Sequence, residues 1–165
     1  MKKDNFVNKQ KKYPIYWSLG VIIITGFIVG LALNLNNHKT DTGLQKLQIG
    51  NAVIYVEVAA TPAQKELGLS NRASLRSDGG MMFPFTKPSR PTFWMKNMNF
   101  PLDFIWVRDK KVVELTEHIG APLKSMADAQ LPLYIPTTDV DAVIEVNAGF
   151  VEYYKIKVGD EVAGI

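Results

Sequence analysis

Cysteine is absent from all 165 residues. That excludes a disulfide framework, a thiolate nucleophile and every Cys-based zinc or iron–sulfur site. Histidine is almost absent. Of the two, His38 precedes the part of the chain that can fold and His118 stands alone within it, a poor metal set. The six serines sit in no nucleophile elbow, with no His–Asp pair beside them. Gly79-Gly80 lacks the lysine and spacing of a phosphate loop. Asp139 and Asp141 lack the graded spacing of a calcium loop and read as a solvated strand start. Met81, Met82, Met95 and Met98 read as core filling rather than as Cu(I) ligands. No metal and no cofactor are expected.

A basic domain is missing too, although the net charge is +3. Residues 1–12 hold five lysines and Asp4, and Lys39 cancels Asp41. From Gln45 onward there are 13 Lys or Arg against 14 Asp or Glu. A nucleic-acid partner would need the positive charge on the folded part, so none is expected.

Charge is absent altogether from the 25 residues between Lys12 and His38, and Ile15 to Leu33 is almost wholly apolar. As a helix those positions span roughly 28 Å, one hydrocarbon-core thickness. Lys2, Lys3, Lys9, Lys11 and Lys12 precede the run, which by the positive-inside bias keeps the N-terminus in the cytoplasm. The expected organisation is a cytoplasmic basic tail at 1–12, a transmembrane anchor or uncleaved signal at 13–35 in the lipid bilayer, a polar linker at 36–46, and an extracytoplasmic domain at 47–165. The alternative is secretion after cleavage near Ala32, since Gly30 and Ala32 are small; the length of the run favours retention.

Within the domain, Leu47 to Val58 reads as a first strand region, with Ile54, Val56 and Val58 on one face and Tyr55 and Glu57 on the other. Thr61 as N-cap, Pro62 at N1, Gln64 completing a capping box and Gly68 as stop predict one short helix. Asn71 to Gly80 reads as loop ending in a Gly79-Gly80 turn. Met81 to Phe83 and Thr92 to Lys96 read as strands separated by Pro84, Pro88 and Pro91. Leu102–Arg108 and Lys111–His118 flank Asp109-Lys110 as a hairpin. Gly120 to Pro136 reads as a long loop, Ala142 to Val146 as a strand, Ala148 to Tyr154 as a short helix, and the region around Val162 as a last strand. The fold class is mostly β, a compact barrel- or sandwich-like domain with one or two short helices behind an N-terminal transmembrane helix.

Val56-Glu57-Val58-Ala59 with Thr61-Pro62, then Gly68-Leu69 and Arg72, Gly80-Met81-Met82-Phe83 with Phe85, Phe93-Trp94-Met95-Lys96-Asn97 with Pro101-Leu102-Asp103, Ile144-Glu145-Val146 with Ala148-Gly149, and Lys157-Val158-Gly159-Asp160 occur in that order. Together they resemble the bacterial and archaeal family called domain of unknown function 192, also uncharacterised protein family 0127. Ser70-Asn71 and Met98-Asn99-Phe100 depart from the family's usual residues. The resemblance implies a compact, mostly β domain, often behind an export signal or anchor, and implies no activity.

Two features stand out as candidate sites. Trp94 beside Lys96 could form a ligand platform, ring for apolar area and ammonium for an anion; the simpler reading places Trp94 in the core with Lys96 at its rim. Glu57 and Glu145 each lie between β-branched residues, so they either face solvent or are buried and need partners. A polar network of Arg72, Lys96, Asp103 and Glu145 is expected, with Asn97 near it and Glu57 as a further member. A structural role for it ranks above acid–base work by two carboxylates. The reading favoured is a membrane-anchored module that binds a small ligand, an envelope glycan or an envelope protein. The runner-up is a carboxylate-dependent hydrolase of an envelope polymer using two of Glu57, Asp103 and Glu145, and the third a scaffold without a pocket.

Overall fold

The computed structural model describes residues 43–165. The expected tail, anchor and most of the linker lie outside them. Among the described residues no helix is long and apolar enough to cross a membrane.

Among the described residues seven strands form one sheet: β1 (Gln45–Ile49), β2 (Ala52–Val58), β3 (Gly79–Ser89), β4 (Leu102–Arg108), β5 (Lys111–Ile119), β6 (Val140–Asn147) and β7 (Val162–Ala163). Their order is β5-β4-β6-β3-β2-β1-β7. Only β2 and β3 run parallel, because the short helix α1 (Pro62–Leu67) and the loop after it carry the chain back between them. A bridge between Lys111 and Glu161, with hydrogen bonds from Val112 N to Asp160 O (2.9 Å) and Gly159 N to Val112 O (2.8 Å), brings the β7 end round to β5. The sheet thereby curls into a half-barrel, as a mostly β chain with few helices should.

Each face of the sheet has its own core. Ile54, Val56, Met82, Ile105, Val107, Ile144 and Val146 fill the concave side with Phe150 and Val151 of helix α2 (Phe150–Tyr154). Met81, Phe83, Phe104, Trp106 and Val143 form the other, covered by Leu69 after α1 and by Met95 and Met98 from the segment after β3. The period-2 alternation decides which side chain goes where. The cap residues behave as their chemistry requires: Gln64 N donates to Thr61 Oγ1 at 3.2 Å and Thr61 N donates to Gln64 Oε1 at 2.9 Å. The Asp109-Lys110 turn carries two positive φ values, 50° and 59°, matching the twist of the β4–β5 hairpin.

Three expectations are corrected. The first strand region is a hairpin, divided at Gly50, whose φ is +54°. Gly79-Gly80 is the start of β3, not a turn: a Cβ on Gly80 would lie 2.8 Å from the Glu145 carbonyl oxygen, so glycine here permits close strand approach. Thr92 to Lys96 is no sheet strand but an extended strap, tied by paired hydrogen bonds between Phe93 and Tyr134 (2.9 Å each). Phe93 pins it edge-on to Phe83 (5.1 Å between ring centroids), Phe104 (5.6 Å) and Trp106 (5.7 Å).

Candidate functional site

The strand register sets out the acids. Glu57 pairs with Met81, Met81 with Glu145, and Glu145 with Phe104, so Glu57 and Glu145 share the outer face, two strands apart. Asp103 pairs with Val146 and therefore points to the concave face, away from Glu145. The expected network is thus divided into separate arrangements.

Arg72 grips Glu57 through both terminal guanidinium nitrogens, Nη2 donating to Oε2 at 2.8 Å and Nη1 to Oε1. These hydrogen bonds, opposed by partial burial and reinforced by the opposite charge, hold the Glu57 carboxyl below its ordinary range. Lys96 pairs with Asp128 across 2.6 Å, a partner the sequence did not suggest. Asn97 is exposed with φ +56°, and its carbonyl accepts from Asn71 N at 2.8 Å. Asp103 is wholly buried and accepts backbone hydrogen bonds from His118 (2.8 Å) and Val151 (3.1 Å). Helix α2 begins at Gly149, which has no side chain to cap it, so Asp103 caps it from a distant strand. Asp103 is a structural residue.

Glu145 is different. It is only 5 % exposed, flanked by Met81 and Phe104, and its side chain makes no hydrogen bond or ion pair among the described residues. Desolvation pushes its pKa up to about 8, so the carboxyl is mostly protonated at neutral pH. No described side-chain polar atom is both wholly enclosed and unpartnered. The carboxyl must therefore face open space, and that space is a cavity of about 270 Å³ which Glu145 lines.

Phe83, Phe85, Phe93, Trp94, Met98 and Leu102 line this cavity, with Lys65 and Lys96 among its polar groups. Trp94 is 50 % exposed and stands with Lys96 on the cavity wall; the expectation that it lies in the core is corrected. The strap's alternation buries Met95 and turns Trp94 outward. Lys65 donates to the Pro84 carbonyl and sits 4.6 Å from the Phe85 ring centroid. The strap is fixed against the segment after α1 by Ser70 Oγ donating to Lys96 O (2.9 Å) and Asn99 Nδ2 donating to Arg72 O (2.9 Å). Sequence reasoning found Trp94, Lys96 and Glu145 but missed Lys65, Phe83, Phe85 and Phe93 as walls. The dense aromatics around Pro84, Pro88 and Pro91 were the available signal. The arrangement can bind a small molecule by apolar and aromatic contact and offers one protonatable group at close quarters.

The family model for domain of unknown function 192, described as Uncharacterized ACR, COG1430, matches residues 45–164. No curated protein matches the chain. The similar solved structures include two crystal structures. A candidate transcription regulator from Sinorhizobium meliloti has a TM-score of 0.64 and 29% identity, over 73% of this chain and 93% of that one. A protein of unknown function from Novosphingobium aromaticivorans has a TM-score of 0.63 and 28% identity, over 72% of this chain and 84% of that one.

Proposed function

This chain belongs to the family of domain of unknown function 192, and from that premise we propose that it is a membrane-anchored, extracytoplasmic module that binds a small ligand in the Glu145 cavity. The observation that carries the reading is a buried, unpartnered carboxyl at an aromatic-walled opening. Such a group costs stability, and a strand position between Met81 and Phe104 would hold an apolar residue at no such cost. The charge-free run after five lysines supports the anchor at 13–35 and the outward placement of the domain. The cavity volume suits a small molecule or one residue of an envelope polymer. With 13 basic against 14 acidic residues from Gln45 onward, the relative's description as a transcription regulator is not carried to this chain.

The hydrolase reading is weaker. It needs two converging carboxylates, whereas Asp103 faces the other side of the sheet and Glu57 is held by Arg72.

A thermal-shift screen of the purified full-length chain against envelope sugars, nucleotides, amino acids and amines tests the reading. A true ligand at 100 times its Kd stabilises by about 2.7 kcal/mol, and Trp94→Ala removes the shift. A screen in which nothing raises the melting temperature favours the scaffold reading instead. For the placement, a C-terminal tag should react with an impermeant label on intact cells; labelling only after lysis contradicts it.

A further inference from the structure

We propose that the Glu145 cavity takes a compact organic cation, an alkylated or primary ammonium group seated against the Phe83, Phe93 and Trp94 rings with the Glu145 carboxylate as its counter-ion. The proposal rests on the ligand-binding reading above and narrows its chemistry.

Glu145 is the buried lining group whose side-chain hydrogen-bonding capacity is unspent. The cations around it are already engaged. Lys65 is held by the Pro84 carbonyl and the Phe85 ring, Lys96 by Asp128, and Arg72 by Glu57. Lys96 is paired with Asp128, and neither lysine acts as a counter-ion to Glu145, whose upward shift has burial as its cause. An anion would be repelled by the Glu145 charge once that group ionises, whereas a cation gains from it. A neutral apolar ligand would leave that carboxyl as poorly satisfied as before. An ammonium group gains twice, from the carboxylate and from the aromatic walls. Lys65 over Phe85 shows an ammonium already settled against one ring of this wall.

Binding is a proton exchange. The Glu145 O–H bond breaks, the proton passes to solvent, and the carboxylate so formed pairs with the incoming cation, whose own bonds are unchanged. Affinity for a permanent cation therefore follows the ionised fraction of Glu145. With a pKa of about 8 in the free protein, that fraction rises from about 3 % at pH 6.5 to about 76 % at pH 8.5.

Calorimetric titration of the full-length chain with choline and with its uncharged isostere 3,3-dimethylbutan-1-ol tests this. Choline should bind about 25-fold more tightly at pH 8.5 than at pH 6.5, and at pH 8.5 more tightly than the isostere, whose affinity should not rise with pH. Glu145→Gln, which keeps the shape and removes the charge, should abolish the choline preference and the pH dependence. Equal binding of choline and isostere, or choline binding that survives Glu145→Gln, overturns the cation assignment and leaves the ligand-pocket reading standing. Failure of choline while the wider screen finds another ligand does the same. Failure of the whole screen removes both.

Discussion

Glu145→Gln should stabilise the domain, and by an amount that grows with pH. In the unfolded chain this carboxyl ionises near its ordinary value of 4.5, whereas in the fold it holds its proton to about pH 8. Between those values the folded state carries a proton that the unfolded state has lost. Each pH unit gained therefore removes about 1.4 kcal/mol of stability, reaching roughly 5 kcal/mol by pH 8 and no more above it. The stabilising contribution is complete below the unfolded pKa and is lost as pH rises through the folded one. Glutamine has the same shape and no charge to desolvate, so the variant should match the native protein near pH 5 and exceed it by about 3–5 kcal/mol at pH 8. Urea unfolding at the two pH values measures the difference, in which the titration of all other groups cancels. A pH-independent difference, or a variant less stable at pH 8, would contradict it.

Asp103→Ala should act in the opposite direction, with a loss of about 3–5 kcal/mol at neutral pH. The substitution orphans the backbone N–H groups of His118 and Val151 and empties a wholly buried site. It also uncaps α2, whose Gly149 offers no replacement. Asp103→Asn keeps one accepting oxygen and should lose roughly half as much. Because Asp103 faces the concave core, folded Asp103→Asn protein should bind cavity ligands unchanged. Loss of ligand binding in a fully folded variant would move Asp103 into the functional site.

The difference between these two acids explains how far the sequence could be read. The helix at Pro62–Leu67 and the hairpin at Asp109-Lys110 were legible because their signals are local: a capping box, a proline at N1 and a two-residue turn act within a few residues. The outline of the half-barrel followed from period-2 alternation. Glu145 could be seen as anomalous between Ile144 and Val146, yet its lack of a partner could not, since Arg72 and Lys96 were equally available in sequence and are committed elsewhere in space. Asp103 showed the same ambiguity, because its partners are backbone groups 15 and 48 residues away. The strap at Thr92–Lys96 has the alternation of a strand, and only the tertiary stacking of Phe93 on Phe83, Phe104 and Trp106 makes it a cover for the sheet. The cavity walls were hidden for the same reason: Phe83, Phe85 and Phe93 converge only once that strap is laid down.

Ligand binding in this cavity is read from a Glu145 carboxyl that is buried without a partner beside open space, and burial of that kind keeps its proton on at neutral pH. Titration of the glutamate side-chain carboxyl carbons by NMR, with Glu145→Gln identifying the resonance, measures that state without any ligand. A midpoint near 8 is the expected result. A midpoint near the ordinary 4.5 would mean a solvated or partnered carboxylate, and the cavity would lose the group that gives it a chemistry.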